Sequence, residues 1–287
     1  MPENLLDNLD VFYGELTPTR ATVYARLEGL ENAWEYSLAG NVRGPRCVYS
    51  ATLPSIYRLT RAGPSIAVTS NCVVTDPCYW SPETPNIYDV IVELRRGMDL
   101  VASEVRQIGF RPVGISGRFL TWEGKPWVLR AISRTSSTEQ SISAWREQAA
   151  VFRCCDAMLD KELQEASERG IMVYVSLNES DNQTADEVVE SLKYLSRFPA
   201  VTFFNSPWNI GESLQKAAPN VLMVRGDHSS RVVCAEATQA NRLKEWQMPA
   251  LMHRLLSQPT ALSEARAACD KLQADLAPIG QFAGYIV

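Results

Sequence analysis

The strongest constraint on the fold is a change of hydrophobic period part-way along the 287-residue chain. Through residues 21–113 apolar and polar side chains alternate in short runs divided by Gly, Pro and Asn. In ATVYARLEG, Val23, Ala25 and Leu27 share one parity, while Thr22, Arg26 and Glu28 share the other. That alternation is what a half-buried strand requires. WEYSLAG, SIAVTSNCVV and IYDVIVEL repeat it, and Arg96-Gly97 supplies a hairpin turn before LVASEVRQ. The spacing predicts an antiparallel two-sheet sandwich of about 100 residues.

Beyond Pro126 short β-branched runs alternate with helical segments, as in a parallel α/β arrangement. The predicted strands are PWVLRAI, AVFRCC, IMVYVSL, AVTFFNS, NVLMVRG, RVVCAEA and FAGYIV, with PALMH as a candidate eighth. One helix opens at Thr184 with Glu187 three residues on, a capping box. Another sets Leu262, Ala265, Cys269, Leu272 and Leu276 in one stripe. Gly170 closes the helix DKELQEASER. Two domains are expected, 1–113 and 114–287. From Pro126 only 162 residues remain, against about 200 to 250 for a (β/α)8 barrel, so the barrel is expected to be shortened or incomplete.

Composition removes several function classes. A net charge of −5 and the lack of a Lys/Arg-rich run exclude the electrostatics of nucleic-acid binding. No stretch approaches the roughly 18 apolar residues of a membrane span, and MPENLLDNLD lacks a basic, apolar leader, so a cytoplasmic chain with no membrane partner is expected. The seven cysteines are odd in number and include the neighbours Cys154 and Cys155, which favours reduced thiols. With no C-x-x-C pair and only His228 and His253, neither a metal site nor a cofactor is expected.

The segment YWSPETPNIYDVIVELRRG, continuing through IGFRPVGISGRFLTWEGKPWVLRAISR, closely resembles the family 2 glycoside hydrolases, the β-galactosidase and β-glucuronidase family. The match in order, spacing and residue type runs over residues 79–134. Farther on, ERGIMVYVSLNE is similar to the family's third barrel strand and RFPAVTFFNSPWNIGE to its fourth. The resemblance implies an immunoglobulin-like sandwich followed by a TIM-like barrel, without the family's N-terminal jelly-roll domain. Trp80, Pro82 and Pro85 read as structural, a buried ring and a rigid turn. Gly109-Phe110-Arg111 likewise reads as a packing element.

Retaining glycosidases need two carboxyl groups about 5 Å apart, one an acid/base and one a nucleophile. The family's acid/base is the Glu of a W-x-x-G-N-E stretch. Laid on it without gaps, FPAVTFFNSPWNIGES puts Asn209 at that position, and an amide cannot deliver a proton. With a four-residue insertion Trp208, Ile210 and Gly211 match, and Glu212 falls one residue from its place. Glu212 reads more readily as a helix-start carboxylate on the surface than as the acid. Glu236 in RVVCAEAT resembles the nucleophile, although Ala237 and Thr238 replace the usual aromatic residue and Gly. Arg134 matches the family's arginine in the first strand, with Thr135 where the family has histidine, and Arg153 resembles the arginine after the second. The substrate-binding histidines have no counterpart.

Two readings follow from the resemblance. One is a protein of carbohydrate metabolism that is catalytically impaired or non-catalytic, a degenerate paralogue or incomplete gene, with carbohydrate or another protein as partner. The other is an active retaining β-glycosidase with Glu212 as acid/base, Glu236 as nucleophile and Trp208 as a stacking platform, the pocket being completed by Arg134, Arg153 and Asn209. A binding module that uses the sandwich surface alone is the third arrangement.

Overall fold

The computed structural model describes residues 5–63, 67–133, 141–148, 150–154, 158–177, 184–206, 211–225, 231–256 and 261–287. They form two compact units, Met1–Arg111 with Arg197–Pro199, and Pro112–Ser196 with Ala200–Val287.

The first unit is built from β1 (Leu9–Thr17), β2 (Arg20–Leu27), β3 (Tyr36–Arg46), β4 (Ser55–Arg61), β5 (Val68–Thr75), β6 (Ile87–Arg96) and β7 (Asp99–Ile108). All pair antiparallel, β1-β2-β5 in one layer and β3-β6-β7 in the other. Strand β4 belongs to both. Its residues 55–59 pair with β3, and Thr60 and Arg61 pair with β5. This is the strand order of an immunoglobulin-type sandwich. The alternation read from the sequence is the burial pattern: Ala21, Val23, Ala25 and Leu27 of β2 meet Val90, Val92 and Leu94 of β6 in one core. The hairpin between β6 and β7 turns over Gly97-Met98, with Gly97 at φ 61°.

Tyr88, near the start of β6, is 1% exposed, and its hydroxyl accepts a hydrogen bond from the Cys78 amide at 2.9 Å. A tyrosine at this corner, bonding back to the chain that leads into its own strand, is a device that fixes the crossing of such sandwiches. Its ring leans on Phe110, which meets Tyr13 edge-on, and the Tyr13 hydroxyl donates to the Arg111 carbonyl at 3.2 Å. Trp80 is fully buried as its structural reading required, and Gly109 is glycine because a Cβ there would lie 2.9 Å from the Trp80 side chain.

The second unit opens with a small antiparallel sheet, β8 (Val113–Ser116), β9 (Phe119–Trp122) and β10 (Lys125–Trp127). Pro126 therefore lies in β10 and not in the first barrel strand. Glu123 and Gly124, with φ of 50° and 75°, turn the chain so that Lys125 faces Trp122. Trp127 stacks on Phe203 with ring centroids 6.3 Å apart.

The parallel strands are β11 (Leu129–Ser133), β12 (Val151–Cys154), β13 (Val173–Ser176), β14 (Val201–Asn205), β15 (Leu222–Arg225), β16 (Val232–Glu236), β17 (Ala250–His253) and β18 (Gly284–Ile286). They close into a barrel in chain order. The expectation of an incomplete barrel is corrected here, because PALMH is a strand and all eight staves are present. Strands of three to five residues make this fit in so short a chain. Between them lie α1 (Ile142–Glu147), α2 (Asp160–Arg169), α3 (Ala185–Leu195), α4 (Gly211–Ala217), α5 (Ala240–Leu243) and α6 (Leu262–Leu276). Helix α3 starts at the expected capping box, with Thr184 Oγ1 accepting from the Glu187 amide at 3.3 Å and Glu187 accepting from the Thr184 amide at 2.7 Å. Helix α6 buries the five residues of the predicted stripe, and Gly170 caps α2 at φ 75°.

Closure depends on Gly284, which pairs with Leu129 across the β11–β18 seam. A Cβ there would stand 2.8 Å from Leu129 Cβ and from Leu251 Cδ2. Replacing Gly284 with Ala is expected to lower stability by about 1–3 kcal/mol, read as a lower urea midpoint. Tyr88→Phe keeps the ring and leaves the Cys78 amide without its acceptor. A loss of about 1–2 kcal/mol is expected, and an unchanged midpoint would show that the corner bond contributes nothing.

Candidate active site at the barrel mouth

In a (β/α)8 barrel the interior is ordinarily filled with branched apolar side chains, and function gathers at the C-terminal strand ends. In this chain that end is polar. Ser133, Ser176, Asn205, Arg225, Glu236 and His253 are the last residues of β11, β13, β14, β15, β16 and β17. Arg153 stands one residue from the end of β12.

Arg153 sits over the Tyr174 ring, 5.7 Å from its centroid, and donates through Nη2 to Ser176 Oγ at 3.3 Å. Asn205 Nδ2 donates to the same hydroxyl at 3.2 Å. Tyr174 also meets Phe203, centroid to centroid 6.0 Å, so aromatic rings lie against this polar group. The Cys234 thiol is pushed up by burial, an effect that Arg153 and Tyr174 oppose. Three buried polar atoms here have no hydrogen-bond partner among the described residues: Ser133 Oγ, Arg153 Nε and His253 Nδ1. Buried polar groups are normally satisfied, so three together mark a place where a ligand or water would bond.

Beside this cluster is an open hollow of about 330 Å³ lined by Glu236, Ala237, Thr238, His253, Arg254 and Leu255. Glu236 and His253 face each other across the parallel pair β16–β17. The Thr238 hydroxyl donates to Glu236 Oε2 at 3.2 Å. Burial holds His253 below the usual imidazole range, the charge of Arg153 adds to that, and Glu236 works against both. At pH 7 the imidazole is therefore neutral.

The sequence-predicted site residues separate in the structure. Arg153 and Glu236 both lie at the C-terminal end of the barrel. Glu212 lies in the first turn of α4, its side chain 85% exposed and paired with Lys216 at 2.9 Å. That lysine holds the Glu212 carboxyl below the ordinary glutamate range, so it is ionised at neutral pH. Glu212 is not among the described residues that line the hollow. Arg134, Trp208 and Asn209 lie outside the described residues. Sequence reasoning missed His253, Tyr174, Ser176, Asn205 and Cys234. A usable signal was present for His253, because it closes the run PALMH and so stands at the functional end of a barrel strand. No group of three or more metal-ligating side chains occurs among the described residues.

Comparison with known proteins finds a family resemblance in one segment and a shared fold over the chain. Residues 52–111 match the model of the glycosyl hydrolases family 2. Two β-galactosidases of Klebsiella pneumoniae are 44% identical over 61 residues and 40% identical over 67, which is 21% and 23% of this chain. Those stretches are 6% of each relative, so the match is to a small part of long proteins. Among solved structures, a Bacteroides uniformis β-glucuronidase superposes with a TM-score of 0.64 at 16% identity, covering 97% of this chain and 45% of its own. A β-glycosidase from Bacteroides vulgatus gives a TM-score of 0.64 at 12% identity, over 87% of this chain and 38% of its own. A Ruminococcus gnavus β-glucuronidase gives 0.64 at 13%, over 97% and 60%. At such identities the superpositions speak for the fold, and this chain spans less than two thirds of each of these proteins. The sandwich segment 52–111 is thus similar in sequence to the family 2 glycosyl hydrolases, and the chain as a whole shares its fold with solved β-glucuronidases and a β-glycosidase.

Proposed function

We propose that this chain is a non-hydrolytic relative of the family 2 glycosyl hydrolases that holds a carbohydrate at the mouth of its barrel. The observation that carries this reading is the position of Glu212. A general acid must be protonated and within reach of the leaving oxygen. Glu212 is ionised by its pairing with Lys216 and turned to solvent on α4. Glu236 is the one carboxylate among the described residues that line the hollow. A retaining mechanism needs a second at about 5 Å. The polar interior around Arg153, Ser176 and Asn205 remains suited to the hydroxyl groups of a sugar, and the aromatic face of Tyr174 lies beside it. The barrel is read as a shortened one, its reduction lying in the connections: six residues join β15 to β16, and α5 has four.

The test is a turnover assay on aryl β-glycosides with the unmodified protein, Glu212→Gln and Glu236→Gln, beside a thermal-shift series with neutral and acidic monosaccharides. Turnover at least about a thousandfold below that of an active relative is expected, since acid catalysis and positioning each contribute about 10² or more. Glu212→Gln is expected to change neither sugar binding nor stability beyond about 0.5 kcal/mol, the usual range for an exposed position. Robust turnover by the unmodified chain, lost in both variants, would establish the active β-glycosidase instead.

A further inference from the structure

Strand β7 ends the strand order of the sandwich unit, with β6 on one side and no strand on the other among the described residues. The backbone groups on that side form a template for a further strand. From Ala102 to Ile108 the register against β6 is unbroken, the irregularity of this pair falling at Val101. Ser103, Val105 and Gln107 alternate along the outer face, and Val105 is 56% exposed. Ala102 and Ile108 pack on the core, and Glu104 and Arg106, which share their parity, pair with each other. Each of these two keeps a buried polar atom with no hydrogen-bond partner among the described residues, Glu104 Oε2 and Arg106 Nε. Burial, and the charge of Arg197, press the Arg106 guanidinium below its ordinary range, against the opposing effect of Glu104, Asp10 and Asp7. An inward charge commonly guards a sheet edge, because an apolar neighbour strand would leave it without a partner. Here the two charges have opposite sign and stand two residues apart, so a strand that carries the same pair in reverse order satisfies both.

We infer that β7 is a self-association edge, on which a second copy of this chain adds its own β7, antiparallel, about a two-fold axis through Val105. An axis that pairs two identical edges in this way is normal to the sheet. It keeps the inner faces of both copies on one side, so opposed residues share parity and the axis passes through a residue. Charge decides which one. Through Glu104 or Arg106 the axis would set like charges directly opposite each other, which is destabilising. Through Ser103 it would set Glu104 against Ala102 of the partner subunit and Arg106 against Leu100 of the partner subunit, and both charges would face apolar groups. Only an axis through Val105 opposes Glu104 to Arg106 of the partner subunit, and Arg106 to Glu104 of the partner subunit. Opposed side chains are then about 4.5–5.5 Å apart at Cβ, which brings a group of opposite charge to each unpartnered atom. On the outer face Val105 meets Val105 of the partner subunit. The backbone of residues 102–108 gains the ladder hydrogen bonds that a free edge lacks.

The experiment is equilibrium sedimentation of the full chain from about 1 to about 100 μM, with cysteine cross-linking to read the register. A mass twice that of the chain is expected at the upper end. Directly opposed Cα atoms of an antiparallel pair lie about 4.5–5.5 Å apart, inside the span of a disulfide. Val105→Cys should therefore form a covalent dimer under mild oxidation at least about tenfold faster than Val101→Cys, whose two copies stand far from the axis. An equimolar mixture of Ser103→Cys and Gln107→Cys chains should give the mixed dimer, and neither variant alone should. The unmodified chain, with Cys47 and Cys78 partly exposed, supplies the background. Val105→Lys places two ammonium groups on the axis and should weaken the dimer about tenfold or more. Val105→Thr, a strand former of similar shape without charge, should retain it and so separates lost pairing from lost fold. A monomer throughout the range, a dimer indifferent to Val105→Lys, or cross-linking at Val101 equal to that at Val105 overturns the β7 interface. None of these readouts depends on sugar binding or turnover.

Discussion

The seam between β11 and β18 is the constraint on which the barrel unit depends. Eight strands of three to five residues carry few hydrogen bonds each, and only closure gives every strand two neighbours. At the seam Leu129 pairs with Gly284 and Ala131 with Ile286, partners 155 residues apart in the chain. The missing side chain of Gly284 lets Leu129 and Leu251 fill the inner layer beside it. Above this layer the interior turns polar, and the closed ring of strands fixes the relative positions of Arg153, Ser176, Asn205, Glu236 and His253 without help from the longer connections.

That division between an apolar lower barrel and a polar mouth carries the functional argument. Tyr174 and Phe203 form the boundary, with Trp127 stacked below and Arg153 above. A cation and several hydrogen-bonding groups are thereby held where water access is reduced and electrostatic interactions are stronger than at the surface. Glu212 shows the contrast. It lies close in sequence to the end of β14, yet one helical turn to Lys216 makes it an ordinary surface ion pair. Exposed pairs of this kind contribute little to stability.

Much of the architecture was legible in the residues because its signals are local. The alternation in β2 and β6, the Thr184–Glu187 cap, the α6 stripe and the Gly170 terminus each depend on neighbours a few positions away. The fate of Pro126 was less legible. Its β-rich surroundings fitted a barrel strand, and only the left-handed turn at Glu123-Gly124 sends it into β10. The site was legible in part. Arg153 and Glu236 could be located because each ends an apolar run, whereas the meeting of Tyr174, Ser176, Asn205, Cys234 and His253 is made by the closing of the barrel from four different strands. No spacing along the chain encodes it. The displacement of Glu212 also needed the structure, since a helix-start carboxylate and a shifted acid look alike in one dimension.

The sharing of β4 between the two layers of the sandwich has a consequence for how that unit opens. In a sandwich whose sheets touch only through side chains, one sheet can loosen while the other keeps its hydrogen bonds. Here residues 55–59 are bonded to β3, and Thr60 and Arg61 to β5, so the same backbone stretch holds both layers. Fraying β4 from either side exposes amides that belong to both. Backbone amides around Leu59, Thr60 and Asn71 should then exchange with solvent through one concerted opening, and the two sheets behave as a single cooperative unit despite being two layers.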